Sequence, residues 1–516
     1  MPWINLSKQK FHRLKFIGCL LFIIGILFSK AILSLTTVYF VVIVILSREY
    51  KNWSLKSLIK STLFPFLFFV VWSLLSILWS KDIGTGFKVV LANVNFYIIP
   101  PLLVLTTPIE EKYKRYLLQF FGGLVLVISL INYFVFQFNT EIVEIRKLSL
   151  FISHIRFSIC IVIASVVLTY YAFKVQRNSI RLFLYFSVVW LLYYTYYSQV
   201  LSGVLGSFGV FVALIIIKYC KASSFRTKGL IIFMSSSVCI LITLFIFSLF
   251  NQNTKSLHLS ELPTHTKQGN LYTHDIYSTE SENGNPLNCY LCVNEMDSAW
   301  VKRSIFQLDR SNKQGFLNRT VLIRYLTSKD LPKDAEGVNA LNEQDIKNIE
   351  SGIPSILQLN QGMNARYYAL KYELSQNDDP NGHSLLQRFE FWKTALYIVQ
   401  KNLILGVGIG DYEKAYSTAY NELKSPLTVE NRLGSHNQFI HTCVNFGIIG
   451  LLLFGWFLIS TCSLLLKRGS FLSFIIFSVL ICSFLVEDTL GTLTGMSLFS
   501  FFYGLNLQNI DSIVDN

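Results

Sequence analysis

The sequence predicts an all-α polytopic membrane protein of about twelve transmembrane helices with one large, mostly helical loop on the outer side. Three observations point there. The 516 residues are 52% hydrophobic and 15% charged, against roughly 25% charged in an ordinary soluble domain. The apolar residues, among them 43 Phe and 26 Tyr, run in long uninterrupted stretches. That excludes a disordered, fibrous or small disulfide-stapled chain. Basic residues, finally, recur at every second connection between those stretches, as the positive-inside rule requires of a multi-pass protein.

Hydropathy places the spans at about 14–28, 31–46, 62–79, 85–105, 116–137, 155–173, 182–198, 200–217, 229–250, 439–466, 470–486 and 490–507. One set of connections holds twenty Lys and Arg, in the runs 8–15, 48–60, 112–115, 174–181, 218–228 and 467–468. The alternating short connections hold six: Lys30, Lys81, Lys88, Arg146, Lys147 and Arg156. Both termini are therefore predicted cytoplasmic, with an even number of crossings. Reading 14–46 as one helix would put a basic flank outside, so two crossings with a tight turn at Ser29–Lys30 are expected. No small-residue cleavage site follows the first apolar stretch, which is read as a retained span.

Residues 251–438 form the one large hydrophilic insertion, between spans 1–9 (residues 1–250) and spans 10–12 (residues 439–516). The whole chain has a formal net charge of +14, which in a soluble protein suggests nucleic acid. Residues 251–434, however, hold 19 basic and 21 acidic side chains. The excess therefore sits in the membrane part and marks orientation. Nucleic-acid binding loses its support.

Within the insertion, 337–352 and 385–401 carry apolar residues at helical spacing. Asn283-Gly284-Asn285-Pro286 and Asp378-Asp379-Pro380-Asn381-Gly382 read as turns. Cys289 and Cys292 form a CxxC, with His274 as a neighbouring ligand type. A zinc site needs two more ligands at comparable spacing, so a local disulfide or two buried thiols is the simpler reading. The other seven cysteines lie in or beside spans and act as small apolar residues.

Ionisable groups at the outer membrane edge are the informative ones, because burying them at membrane depth is costly. His154 and Arg156 stand at the outer end of span six. Arg156 either snorkels to the surface or holds an anionic group. Arg388 precedes a helix leading into Leu405-Gly-Val-Gly-Ile-Gly-Asp411. Without a preceding strand that glycine run is no dinucleotide loop; it reads as a turn bringing backbone close to a ligand or to the bundle. His436 and Asn437 enter span ten, where a histidine is either a structural cap or a proton acceptor near neutral pH. Glu487 and Asp488 face outward between spans eleven and twelve, to orient a base or simply to be solvated. The sequence shows no GxxxxGK[ST], no HExxH, no acidic metal cage and no Gly-x-Ser-x-Gly elbow. Any chemistry is expected to use Arg, His and carboxylates, with no cofactor and no metal.

In order along the chain, GHSLLQRFEFWKTA (382–395), GVGIGDYEKAY (406–416) and SHNQFIHTCVNFGIIG (435–450) resemble the O-antigen ligase and O-antigen polymerase (Wzy-type) superfamily of bacterial inner-membrane glycosyltransferases, in a Bacteroidota-like form. GNLYTH (269–274), RYLTSKDLPKD (324–334), LNEQDIKNIESGI (341–353) and FLVEDTLGTLTG (484–495) look like the same subgroup. The resemblance implies a GT-C-like architecture in the inner membrane with a periplasmic loop. It implies metal-independent, inverting transfer of a glycan from a polyprenyl (undecaprenyl) diphosphate carrier. The acceptor would be lipid A-core or another glycan for a ligase, or a carrier-linked repeat unit for a polymerase. By position, Arg388 matches the family's loop arginine and His436 its essential histidine. Arg156 is read as a further diphosphate contact, with His154, Asn437 and Glu487 in support. One departure stands out: Leu201 occupies the place where many members carry an arginine, so either Arg156 substitutes or activity is weakened. A lipid-linked-glycan flippase and a non-catalytic assembly protein are the competing readings. The lack of charged residues inside the spans argues against an ion-coupled transporter.

Overall fold

The computed structural model describes residues 8–53, 58–59, 61–138, 148–250, 257–278, 280–310, 317–359, 362–375 and 380–508. Lys56, Lys60, Arg146, Lys147, Asp378 and Asp379, used in the sequence reading, lie outside them. The chain divides into two compact units. One contains residues 1–231, 391–424 and 432–516, the other 232–390 and 425–431.

The first ten helices are α1 (Lys8–Phe28), α2 (Lys30–Ser47), α3 (Phe64–Leu75), α4 (Ile83–Ala92), α5 (Val94–Val104), α6 (Glu111–Phe138), α7 (His154–Lys174), α8 (Asn178–Tyr197), α9 (Leu201–Lys221) and α10 (Phe225–Phe250). Then come β1 (Ser281–Glu282), β2 (Asn285–Pro286), α11 (Val293–Val301), α12 (Asn318–Ser328), α13 (Ala335–Asn339), α14 (Glu343–Glu350) and α15 (Met363–Ser375). The last five are α16 (Ser384–Lys401), α17 (Tyr412–Glu422), α18 (Gln438–Lys467), α19 (Phe471–Ser483) and α20 (Leu493–Leu507). Each of the twelve apolar segments falls on a helix or a helix pair. Among the described residues, six helices (α1 from Gln9, α2, α6, α7, α9 and α18) are long and apolar enough to cross a membrane. A seventh span is added if α4 and α5, bent by 45° at Asn93, are counted as one. The protein is a helical membrane protein, with six candidate spans among the described residues where hydropathy alone placed twelve in the chain. The α3 region and α19 are apolar but short.

In the first unit α1 lies along α2, α5 along α20, α9 along α19, and α3 along α18. The interior is aromatic. Phe66, Phe96, Phe457, Phe499 and Tyr503 pack ring on ring around one another. Large apolar side chains such as Leu35, Phe173 and Phe186 are exposed on helix surfaces, as a lipid-facing exterior requires. The expected turn at Ser29 is present: Ser29 caps α2, its hydroxyl accepting from the amide of Ile32 at 3.5 Å.

Two polar residues of this bundle hold helices together. The Asn95 carboxamide accepts from Thr37 at 2.7 Å and donates to Ser497 at 2.8 Å, tying α2, α5 and α20. Lys15, one of the twenty orienting cations, is buried. Its ammonium donates to Leu103 O, Thr106 Oγ1 and Thr107 O at 3.1, 2.8 and 2.9 Å. Glu49 accepts from the amide and hydroxyl of Thr107 beside it. A buried ammonium with three acceptors and a nearby carboxylate is a structural pin.

The second unit has its own small core of Met296, Trp300, Leu322, Tyr325, Val338 and Ile349. The Asn283–Gly284 turn joins β1 to β2 with φ of 55° and 78° at the two residues, the double left-handed pattern that Asn-Gly favours in a two-residue hairpin. Cys289 and Cys292 are free, buried thiols. His274 is not poised to join them in a metal site: Nδ1 accepts from Tyr290 N and Nε2 donates to Pro263 O.

Lys333 is buried in this unit and donates to Cys289 O at 2.7 Å and Pro286 O at 3.1 Å. Burial pulls its ammonium down to about 8 from the ordinary 10.5. The unfolded chain therefore binds the extra proton between these values, and this group makes the fold more stable as pH rises from about 8 to 10.5. Thermal melts of wild type and Lys333→Met at pH 7.5, 8.5 and 9.5 check this. The difference in melting temperature between them should shift in favour of wild type as pH rises; a difference independent of pH contradicts it.

Candidate functional site

The site is built on a helix that does not run straight. Within α18, Gly447 has φ 65° and ψ −168°, a conformation essentially reserved for glycine. Its break strips backbone groups of their helical partners, and in an apolar bundle each must be matched elsewhere. The glycine run supplies the match. Val407 N and Gly408 N donate to Val444 O and Asn445 O, each at 2.9 Å, and Ile448 N donates to Leu403 O at 2.8 Å. The Trp72 indole donates to Phe446 O at 3.3 Å.

The same run lies against the α3–α4 corner. Ile409 N and Gly410 N donate to Ser76 Oγ and Ser80 Oγ. The Asp411 carboxylate accepts from the amides of Lys81 and Asp82 at 2.6 and 3.1 Å. A Cβ on Gly406, Gly408 or Gly410 would meet neighbouring atoms at 2.5, 2.3 and 2.2 Å respectively. The glycines are there for close approach to the bundle.

At the head of α18, Asn437 caps the helix, its carboxamide oxygen accepting from Phe439 N and Ile440 N at 3.0 and 3.1 Å. Its nitrogen donates to Leu485 O at 3.0 Å. Gln438 N donates to Phe484 O, and Gln438 Oε1 accepts from Leu490 N, both at 2.8 Å. Three residues of one turn, Phe484, Leu485 and Leu490, are thus clasped to the start of one helix, and this places His436 over Glu487. His436 Nδ1 lies 3.4 Å from Glu487 Oε2. The imidazole is 30% exposed and the carboxylate 7%. Ligand-capable atoms of His436, Glu487 and Asp488 all lie within 4.8 Å of one another. The sequence shows no metal cage; the fold brings together a histidine and two acids separated by about fifty residues.

The floor beneath is rigid. His436 adopts φ 45°, a left-handed conformation rare for a non-glycine residue. On one side Ser435 O accepts from Trp392 Nε1 at 2.9 Å; on the other Ser435 N donates to Tyr412 Oη at 3.2 Å. The Phe391 ring lies 5.6 Å from the imidazole, and Tyr412 packs 4.4 Å from His441. Burial pushes the phenols of Tyr412 and Tyr416 up, Tyr416 well above the usual value, so both stay neutral.

Arg156 joins the same turn from α7: Nε donates to Thr492 Oγ1 and Nη1 to Ser153 Oγ, each at 2.9 Å. His154 is partly buried at the start of α7. Ser202, next to Leu201, bonds Ser158 Oγ at 2.8 Å and Ile155 O at 3.3 Å. The position where the family pattern has an arginine is therefore stitched to the helix end that carries Arg156. Arg388 is partly buried on α16, in the second unit. The sequence reading missed the break at Gly447 and the anchoring role of Asp411. The signal for the first was a glycine set between an aromatic and two β-branched residues, FGII (446–449).

Residues 351–455 match the family model described as O-Antigen ligase. That segment contains Arg388, the glycine run, His436 and Asn437, and it supports the O-antigen ligase/polymerase superfamily. No curated protein matches the chain.

Gly447→Ala should destabilise the purified protein strongly: the backbone strain alone is about 1–3 kcal/mol, and its Cβ would stand 2.1 Å from Ile404 O. Gly455→Ala on the same helix, where a Cβ meets nothing within 4 Å, should melt like wild type. Equal melting of the two variants would contradict the account of the break.

Proposed function

We propose that the protein transfers a glycan from a polyprenyl diphosphate carrier to an acceptor sugar at the periplasmic face of the bacterial inner membrane, most specifically as an O-antigen ligase acting on lipid A-core or another surface glycan. In this reading the chain crosses the membrane twelve times with both termini cytoplasmic, and residues 251–438 are the periplasmic loop. The observation that carries the proposal is the His436–Glu487 pair, 3.4 Å apart, at the end of a segment that matches the O-antigen ligase family.

The chemistry follows from the residue types. With Nδ1–H directed at the Glu487 carboxylate, Nε2 of His436 carries the lone pair that accepts a proton. The acceptor hydroxyl loses its proton to Nε2 while its oxygen forms a bond to the anomeric carbon. The bond from that carbon to the diphosphate oxygen breaks on the opposite face, and its electron pair leaves with the carrier diphosphate. The product is inverted at that carbon. Glu487 stabilises the imidazolium so formed. The leaving diphosphate needs fixed positive charge, which guanidinium groups provide bidentately; Arg388 and Arg156 take that role, Arg156 standing in for the arginine replaced by Leu201. His154 and Asn437 support the constellation. The reaction needs no metal: the His436, Glu487 and Asp488 cluster acts as a base with its orienting acids.

A deletion strain complemented with variants tests this. His436→Ala and Arg388→Ala should each lower glycan transfer by roughly 10²–10⁴, Glu487→Gln and Arg156→Ala by less, with membrane levels of the protein unchanged. Full transfer by well-expressed His436→Ala removes the proposed base. In the deletion strain, loss of all O-chain with accumulating carrier-linked polymer means ligase; a single repeat left on the core means polymerase. Transfer by purified protein should survive EDTA. Proteoliposomes that move labelled carrier-linked glycan across the bilayer without consuming it would point to a flippase.

A further inference from the structure

One face of α8 changes character along its length. Residues 182, 186, 189, 193 and 196 are spaced four and three apart, so they form a single stripe. All five side chains are exposed. The stripe begins with Leu182, Phe186 and Val189 and ends with Tyr193 and Tyr196. Four of the last five residues of the helix are tyrosines: Tyr193, Tyr194, Tyr196 and Tyr197. Their hydroxyls lower its hydropathy, and α8 is not one of the six helices that qualify as spans by length and composition.

The tyrosines belong to a cluster that α8 shares with α6. The Tyr133 ring lies 5.1 Å from Trp190, 5.1 Å from Tyr197 and 6.1 Å from Tyr193. The Trp190 indole donates to Ser129 Oγ at 2.9 Å, and Tyr197 Oη accepts from Gln137 Nε2 at 2.7 Å. The two helices are thus held at one level, and both carry rings there that combine an apolar face with a polar tip. At their other ends they are basic. Lys112, Lys114 and Arg115 lie in the first turns of α6, and Arg177 and Arg181 at the start of α8. From Arg115 to Tyr133 is 18 residues, and from Arg177 to Tyr196 is 19. Along a helix these are about 27 and about 28 Å. Both come close to the roughly 30 Å of a bilayer's hydrocarbon core.

The matched spacing selects the partner of the exposed rings. A protein partner would not require two helices to keep the same distance between cations and aromatic rings. Water would not favour the apolar half of the stripe, which runs on into the tyrosines. A bilayer accounts for both. Cations mark its cytoplasmic boundary, and Trp and Tyr collect at a boundary where the ring rests on acyl chains and the polar tip reaches the headgroups.

We infer that Tyr133, Trp190, Tyr193 and Tyr196 form a docking surface for lipid headgroups in the leaflet opposite the basic ends. On this inference α8 is a span, with Phe186 near mid-bilayer. Phe157 packs 5.8 Å from the Tyr194 ring, so the neighbouring Arg156 stands at the same level, where lipid phosphates lie. The inference needs only the membrane class of the chain and does not depend on the transfer reaction.

The experiment places the full chain in phosphatidylcholine nanodiscs with a fluorescent amino acid at position 186, 193 or 196. Nitroxide quenchers are carried on the lipid headgroup or midway along an acyl chain. The headgroup nitroxide should quench positions 193 and 196 roughly twofold more strongly than the chain nitroxide, and position 186 should show the reverse order. Unmodified protein in the same nanodiscs is footprinted with hydroxyl radicals generated in water and read by mass spectrometry. Tyr193 and Tyr196 should be oxidised well ahead of Phe186. If neither nitroxide quenches positions 193 and 196, the rings face a protein or another ligand and the inference is overturned. Stronger quenching of both by the chain nitroxide overturns it too, as do tyrosines as protected from radicals as Phe186.

Discussion

A broken helix in an apolar environment has to account for every backbone group it releases, and the site depends on how that is done. Gly447 interrupts α18. The carbonyls of Val444, Asn445 and Phe446 and the amide of Ile448 then find partners in the segment 403–408 and in Trp72. Water cannot supply such partners within a bilayer core, where each unmatched group costs several kcal/mol. The glycine run therefore takes the place of the missing helical turn. Its own glycines are dictated by that task, since a side chain at Gly406, Gly408 or Gly410 would collide with the backbone or hydroxyls it must approach.

From this constraint the placement of His436 follows. The first part of α18, from Gln438 to the break, is short, and its N-terminus is capped by Asn437 and clasped to the turn after α19 by Asn437 and Gln438. The clasp carries Glu487 to the imidazole and lets Thr492, at the far end of that turn, receive Arg156. The histidine and the acid are thus brought together by hydrogen bonds to the main chain of the turn, and the arginine by side-chain bonds to Thr492 and Ser153. Clasps to the main chain hold geometry whatever the protonation state of the groups above them.

Buried charge in this protein is held in two ways. Lys15 in the first unit and Lys333 in the second each donate to carbonyl or hydroxyl oxygens. Glu282 and Arg324 are instead buried as a pair, with the guanidinium on the Tyr372 ring. The net charge of +14 describes neither arrangement, since a total carries no information about burial.

By itself the sequence determined the helical membrane class, the position of each apolar segment, the polar insertion and the turn at Asn283–Gly284. These are local matters: an apolar run must leave water, and an Asn-Gly pair tolerates left-handed backbone. It also marked His436, Asn437, Arg388, Arg156 and Glu487 as residues of interest, through their type and place. Only the tertiary structure decided that Glu487 meets His436, that Asp488 joins them, and that Asn95 ties three helices together. It alone showed that span ten breaks at Gly447 and that the glycine run serves the break. Such pairings join residues from about forty to four hundred positions apart. No periodicity or propensity encodes which distant segment will satisfy a given backbone group. That choice is made when the whole bundle packs and unmatched polar groups have nowhere else to go.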